Sequence, residues 1–402
     1  MKSNFFFKNY ISKKNLSKKK FLEEKFKKLK KKILLEIDDP KATLNIFNKN
    51  FNYNFNFKDL RKFKRFKKIA IIGMGGSILG AEAIYNLFKD KIKKEIFFFD
   101  DIDPKKNLDF KKKQKLTNVL FIIISKSGTT IETLSNFYYF DIMKKNARNV
   151  IIITEKTNNS LYSISKKLNL FYIEHKKNIG GRYSVLSEVG IVPAFLMGLD
   201  VKRLRSNILK FIKNKDSHFL KNSVISLANL LNLKKIKNIV FINYAPEFDC
   251  FLYWCQQLIA ESLGKKNKGF LPVISSAPKD HHSLLQLYFD GPKDKLFHVF
   301  STNIKTNKIN GKNRHLSYFD SLYKKDLMTI KIAQKDALIK TLKYKNIPFR
   351  EFEIKTINEK SIGELFSYFI FETILVGETS NINPYDQPAV ERVKILTKKI
   401  LS

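Results

Sequence analysis

The run Val119-Leu120-Phe121-Ile122-Ile123-Ile124, followed at once by Ser125-Lys126-Ser127-Gly128-Thr129-Thr130, is the strongest constraint on this chain. Six apolar residues without alternation read as a strand buried on both faces, which places it in a parallel sheet. Small hydroxyl residues then crowd the point where the strand turns into a helix opened by Ile131-Glu132-Thr133. Such a turn presents free backbone N–H groups at the positive end of the helix dipole. Hydroxyls add donors without bulk, so the chemistry suited to the place is binding a phosphate monoester. An ordinary N-cap needs one hydroxyl. Here four stand together, with a Lys and a Gly.

A second turn of this kind lies upstream. Ile69-Ala70-Ile71-Ile72 reads as a strand, and Gly73-Met74-Gly75-Gly76-Ser77-Ile78-Leu79-Gly80 follows it. Glycines let the backbone approach a ligand closely. A dinucleotide fingerprint would need a third glycine where Ile78 stands, although Asp100 and Asp101 could mimic its ribose-binding acid. No Gly-Lys-Ser/Thr closes the loop, so the Walker pattern fails as well.

Composition narrows the class. With 402 residues the chain can fill two cores, and 44% hydrophobic content with 36 Phe describes a globular protein. No apolar run is long enough to span a bilayer; the best, 191–199, is too short. Phe5-Phe6-Phe7 is too short for a secretory core, and the acid-poor, Lys-rich start resembles a transit peptide only loosely. Cys250 and Cys255, five apart, fit no metal or redox spacing and read as reduced thiols of a cytoplasmic protein. The net charge of +39 would draw polyanions. Lys is spread along the chain, densest at 13–32 and 61–68, and Phe63 and Phe66 interleave with it as in RNA-binding strips. A solvated surface that steers anionic metabolites is the favoured reading, and neither nucleic acid nor membrane is expected as a partner.

The fold class expected is α/β, with two doubly wound parallel sheets and a C-terminal helical arm. A basic segment, 1–68, helical over 16–37, packs on the core. A first unit, 69–215, holds strands near 69–72, 95–99, 119–124, 150–154 and 170–173, alternating with helices as right-handed βαβ units do. Helices at 189–199 and 201–213 connect it to a second unit, 216–380. That unit has strands near 238–242, 296–301 and 349–354 and helices at 248–263 and 363–376. A final segment, 381–402, carries a helix opened by Pro388, whose missing N–H costs nothing there.

The two turns resemble those of sugar isomerase (SIS) domains, and four further segments narrow the resemblance to the phosphoglucose isomerase family. Gly180-Gly181-Arg182-Tyr183-Ser184, Gln257-Leu258-Ile259-Ala260-Glu261-Ser262-Leu263-Gly264-Lys265, His282-Ser283-Leu284-Leu285-Gln286-Leu287 and Asn383-Pro384-Tyr385-Asp386-Gln387-Pro388 stand in family order, with Lys394 beyond them. The six segments span about four fifths of the chain. The resemblance implies interconversion of glucose 6-phosphate and fructose 6-phosphate through a cis-enediolate, in glycolysis and gluconeogenesis, without cofactor or metal. A dual phosphoglucose/phosphomannose isomerase and a non-catalytic sugar-phosphate sensor are the alternatives.

Roles follow from that resemblance. Glu261 is the base that carries a proton between C1 and C2, and a dry cleft would raise its pKa toward neutrality. Arg182 stabilises the enediolate, since a guanidinium keeps its charge and offers fixed donors. His282 and Lys394 open the sugar ring. Family register selects His282 over its neighbour His281, which stands where relatives carry Gln. Gln387 contacts substrate, and its spacing of seven from Lys394 predicts that both lie on one face of the last helix. Ser125, Ser127, Thr130 and the backbone of Lys126 bind the phosphate, with Gly76 and Ser77 close by. The resemblance also implies a homodimer whose sites are shared, each His282 serving the neighbouring subunit.

Overall fold

The computed structural model describes residues 5–11, 19–213, 217–302 and 325–401. The first of its two sheets holds β2 (Lys68–Gly73), β3 (Glu95–Phe99), β4 (Val119–Ile124), β5 (Val150–Thr154) and β6 (Phe171–Glu174). They are ordered β3-β2-β4-β5-β6, all parallel. Every residue of β4 is buried, as its unbroken apolar run requires. The order reverses between β2 and β4, where the chain winds away in opposite directions. Gly73 pairs with Ile124, so the glycine turn and the hydroxyl turn leave the sheet side by side. Ligands of open α/β sheets bind at such a switch point, beyond the carboxyl ends of the strands.

The second sheet contains β1 (Phe5–Asn9), β7 (Asn238–Asn243), β8 (Leu271–Ser276), β9 (Lys295–Thr302) and β10 (Phe349–Ile354), ordered β1-β10-β9-β7-β8. Four strands are parallel; β1 joins antiparallel at the edge against β10. The Phe5–Phe7 triplet is thus sheet, with Phe7 packed on Phe352 and Tyr368 at ring distances of 4.9 Å.

The helix Glu359–Thr379 is buried around almost its whole circumference. It packs against Lys19–Asp38, Val201–Arg205, Ser217–Leu233 and Asp249–Leu263. A helix buried on all sides belongs inside a core, and its buried charged members are paired there, Glu364 with Lys210 and Glu372 with Arg350. Its start is fixed by a reciprocal cap: Asn358 Oδ1 accepts from Ser361 N–H and Ser361 Oγ from Asn358 N–H, each at 3.0 Å. Such a cap stabilises a helix by about 1 kcal/mol.

The basic N-terminal helix runs Lys19–Asp38 and buries Leu22, Phe26, Ile33 and Ile37 on one face; residues 16–18 of the expected span lie outside the described residues. Lys25 Nζ donates to Thr379 O at 2.9 Å, and Tyr385 Oη donates to Glu36 at 3.4 Å, so this helix braces the segment leading to Gln387. Phe63 and Phe66 point into the core, 2% and 9% exposed, which removes the base-stacking platform an RNA-binding strip would need. The expected connecting helix at 201–213 is two pieces, Val201–Arg205 and Lys210–Lys213. Among the described residues, no helix is long and apolar enough to cross a membrane.

Candidate active site

A cavity of about 460 Å³ opens at the switch point of the first sheet. Gly76, Ser77, Lys126, Ser127, Thr130, Arg182, Glu261, Gln387 and Lys394 all line it. Ser125 lies just beneath, 2% exposed, with its Oγ 2.9 Å from Thr130 Oγ1. Residues more than three hundred positions apart are thereby gathered around one space.

The hydroxyl turn is not an ordinary cap. Thr130 precedes the helix Ile131–Tyr139, but its side chain makes no capping bond. Its hydroxyl faces Ser125 instead, and Ser125 Oγ accepts from Gly128 N–H at 3.2 Å. Gly128 has φ +63°, and a Cβ there would lie 1.8 Å from Asn159 Oδ1. The tight loop leaves the helix start open to an anion. Lys126 turns away: Nζ donates to Lys177 O at 2.8 Å and lies 3.6 Å from Glu155. Burial lowers its pKa. Only its backbone is left facing the turn.

Gly76 joins the two glycine segments. A Cβ on it would stand 2.1 Å from the carbonyl carbon of Gly181, so backbone packs directly on backbone. That contact sets the helical turn Gly181–Leu186, which carries Arg182, against the floor of the cavity.

Arg182 is 3% exposed and all five of its N–H donors are engaged. Nε donates to Ser262 Oγ at 2.8 Å. Nη1 donates to Glu261 Oε2 at 3.2 Å and to Gln387 Oε1 at 3.1 Å. Nη2 donates to the carbonyls of Pro384 and, at 3.1 Å, Asp386. Tyr183 doubles this link, its hydroxyl 2.8 Å from Ser262 Oγ and 2.6 Å from Pro384 O. One guanidinium therefore ties the helix Asp249–Leu263 to the chain's last segment.

Glu261 sits in the last turn of that helix, just before Gly264 ends it. Its carboxylate is 29% exposed and held at both oxygens, by Arg182 and by Gln257 Nε2 at 2.8 Å. It is thus paired and partly wet, unlike the dry carboxylate expected. Gln257 lies one turn earlier, i and i+4, and its spacing from Glu261 was the signal that could have marked it. Tyr385, Met74, Glu155 and Asp386 also line the cavity and were not singled out.

One expectation is corrected by geometry. Gln387 is not on the last helix: it has φ −158° and ψ 62°, Pro388–Val390 form a short 3₁₀ turn, and the helix begins at Glu391. The residue before a proline is driven out of the helical region. Gln387 and Lys394 still meet at the cavity, with Lys394 Nζ donating to Glu391 at 2.8 Å. His282, in turn, does not line the cavity of its own chain; it is exposed beyond β8. His281 is the tied member of the pair, its Nε2 2.7 Å from Tyr244 Oη. Burial, then the charge of His282, lowers the His281 pKa.

A cavity lined by hydroxyls at a helix start and by a carboxylate clamped to an arginine suits a phosphorylated substrate that exchanges a proton. The family model for phosphoglucose isomerase matches residues 31–402. The chain belongs to the phosphoglucose isomerase family. A probable glucose-6-phosphate isomerase of Methanococcus maripaludis is 34% identical over 91% of this chain and 85% of its own length. Among solved structures, a hypothetical protein from Thermus thermophilus superposes with TM-score 0.80 at 24% identity, covering 96% and 95% of the two chains. A glucose-6-phosphate isomerase from Chlamydia trachomatis gives 0.76 at 18%, covering 99% and 88%. These two structures bear on the fold, and the phosphoglucose isomerase fold is what both sheets here form.

Proposed function

We propose that this chain interconverts glucose 6-phosphate and fructose 6-phosphate, the glycolytic and gluconeogenic step of its family, with the cavity residues in the following roles. The observation that carries the reading is the Glu261–Arg182 contact in the cavity that the hydroxyl turn also lines. Ser125, Ser127, Thr130 and the Lys126 N–H hold the phosphate, with Gly76 and Ser77 beside it. Anchoring this remote group fixes C1 and C2 near Glu261. The Glu261 carboxylate takes the C2 proton of the open aldose and returns it at C1. Negative charge on the enediolate oxygens falls to Arg182, already desolvated and oriented. Gln387, which shares Nη1 of Arg182, can exchange that bond for a substrate hydroxyl. A sensor without catalysis would have no use for this base and cation held in contact.

Ring opening is assigned to Lys394 and to His282 of a partner subunit in a cytoplasmic homodimer. Two features support this. His282 is exposed and outside its own chain's cavity. The helix Glu391–Leu401 buries no residue, leaving Val393 68% and Ile400 83% exposed, as an unpartnered face would.

Two measurements test the reading. Ser125→Ala with Thr130→Ala should raise KM for fructose 6-phosphate at least ~10-fold, because hydrogen bonds to a charged group are the stronger ones. An unchanged KM would remove the phosphate from this turn. Mixing inactive Glu261→Gln and His282→Ala subunits under conditions of exchange should restore part of the activity, since one site of a mixed dimer would hold both intact residues. No recovery after proven exchange would place both groups on one chain.

A further inference from the structure

A second cavity, of about 620 Å³, shares no lining residue with the first. Its size lies within the range of small-molecule sites, about 300–1,000 Å³. One side is built by Phe51-Asn52-Tyr53-Asn54-Phe55-Asn56-Phe57, in which every second residue is aromatic. Neighbouring ring centroids along it are 5.1, 5.1 and 5.0 Å apart. Phe51, Tyr53 and Phe57 line the cavity, together with Lys49, Lys202, Arg205 and Lys213. Among the described residues no Asp or Glu lines it.

Arg205 is the telling member. Its Nη1 donates to Leu186 O at 2.8 Å and its Nη2 to Asn48 O at 3.0 Å. The guanidinium also lies over Phe51 and Tyr53, 5.3 and 5.6 Å from the ring centres. All these partners are neutral. Glu188 acts on it only through space and accepts from Asn54 N–H at 3.1 Å instead. Lys210, which also lines the cavity, is by contrast committed to Glu364 at 3.2 Å.

We propose that this cavity binds a nucleoside phosphate, its base against Phe51, Tyr53 and Phe57 and its phosphates on Lys49, Lys202, Arg205 and Lys213. Flat rings accept the face of any heterocycle, and a cationic rim without acids selects phosphate. The site also reaches the chemistry. Leu186, held by Arg205, ends the helical turn that begins beside Arg182. A phosphate drawing on Arg205 competes with that anchor.

The test is titration calorimetry at about 0.15 M salt, where long-range attraction to the basic surface is screened. ATP, adenosine and tripolyphosphate are titrated into the intact chain, into Lys49→Glu/Lys202→Glu, and into Ser125→Ala/Thr130→Ala. ATP should bind, and adenosine and tripolyphosphate should each bind at least ~10-fold more weakly, having lost either the charge or the ring. The two charge reversals should weaken ATP at least ~10-fold, and the phosphate-turn variant should leave its affinity unchanged. Absent ATP binding, equal binding of tripolyphosphate, indifference to the charge reversals, or loss in the phosphate-turn variant would each overturn the site. An isomerase rate unchanged at saturating ATP would overturn the link through Leu186.

Discussion

Glu261→Gln is expected to lower kcat by at least ~10²-fold with KM close to the wild-type value, the pattern of a lost general base. The substitution keeps the shape, and the surroundings can absorb it. Glu261 now accepts from Arg182 at one oxygen and from Gln257 at the other. A glutamine can keep its carbonyl toward Arg182 and turn its amide toward Gln257. Gln257 can then rotate its own amide, because its Oε1 is buried without a partner and becomes an acceptor. One unmatched buried atom of Gln257 is thereby exchanged for another, its Nε2 for its Oε1, so the packing around the site is kept while the proton acceptor is gone. Steady-state rates, and solvent exchange of the C2 proton, check this together. Near-normal turnover in the variant would reject Glu261 as the base.

The same site shows what a sequence displays and what it conceals. β4 and β5 have the bounds their apolar runs indicate, because strands buried on both faces need no alternation to be seen; β3 and β10 have the expected bounds too, β10 although Arg350, Glu351 and Glu353 interrupt its apolar residues. β8 is hidden by Pro272, which demotes a strand wherever a ladder N–H is required. It survives because β8 is an edge, paired only with β7. β1 is invisible for another reason: five residues, Phe-Phe-Phe-Lys-Asn, have no pattern of their own and become a strand through pairing with β10. The helices Ser217–Leu233 and Leu327–Tyr344 were likewise not anticipated. At the site, motif residues were legible through their neighbours. The tie from Arg182 to Ser262, Pro384 and Asp386 was not, since it joins backbone and side chains 80 to 204 positions apart.

That tie decides how the second large effect must be read. Arg182→Lys is expected to reduce kcat by ~10²–10³-fold, the usual loss when a donor to a developing oxyanion is removed. Lysine keeps the charge, but it offers three donors from one point where five were arranged in a planar fork. It cannot reach Glu261, Ser262 and the carbonyls of Pro384 and Asp386 together, and at 3% exposure little water can replace the missing donors. Two causes would then be mixed: weaker stabilisation of the enediolate, and a loosened segment around Gln387. Tyr183→Phe separates them. It removes the hydroxyl that also holds Pro384 O and Ser262 Oγ, yet Tyr183 does not line the cavity. If Arg182 acts on the reacting atoms, Tyr183→Phe should retain turnover within ~10-fold, since it loses only hydrogen bonds worth about 1 kcal/mol apiece. Amide exchange over residues 381–390 should quicken in both variants, because both release the Pro384 carbonyl. Equal losses of kcat in the two would show that Arg182 serves to hold the C-terminal segment in place, and the charge-stabilising role would have to be given to another cation of the cavity.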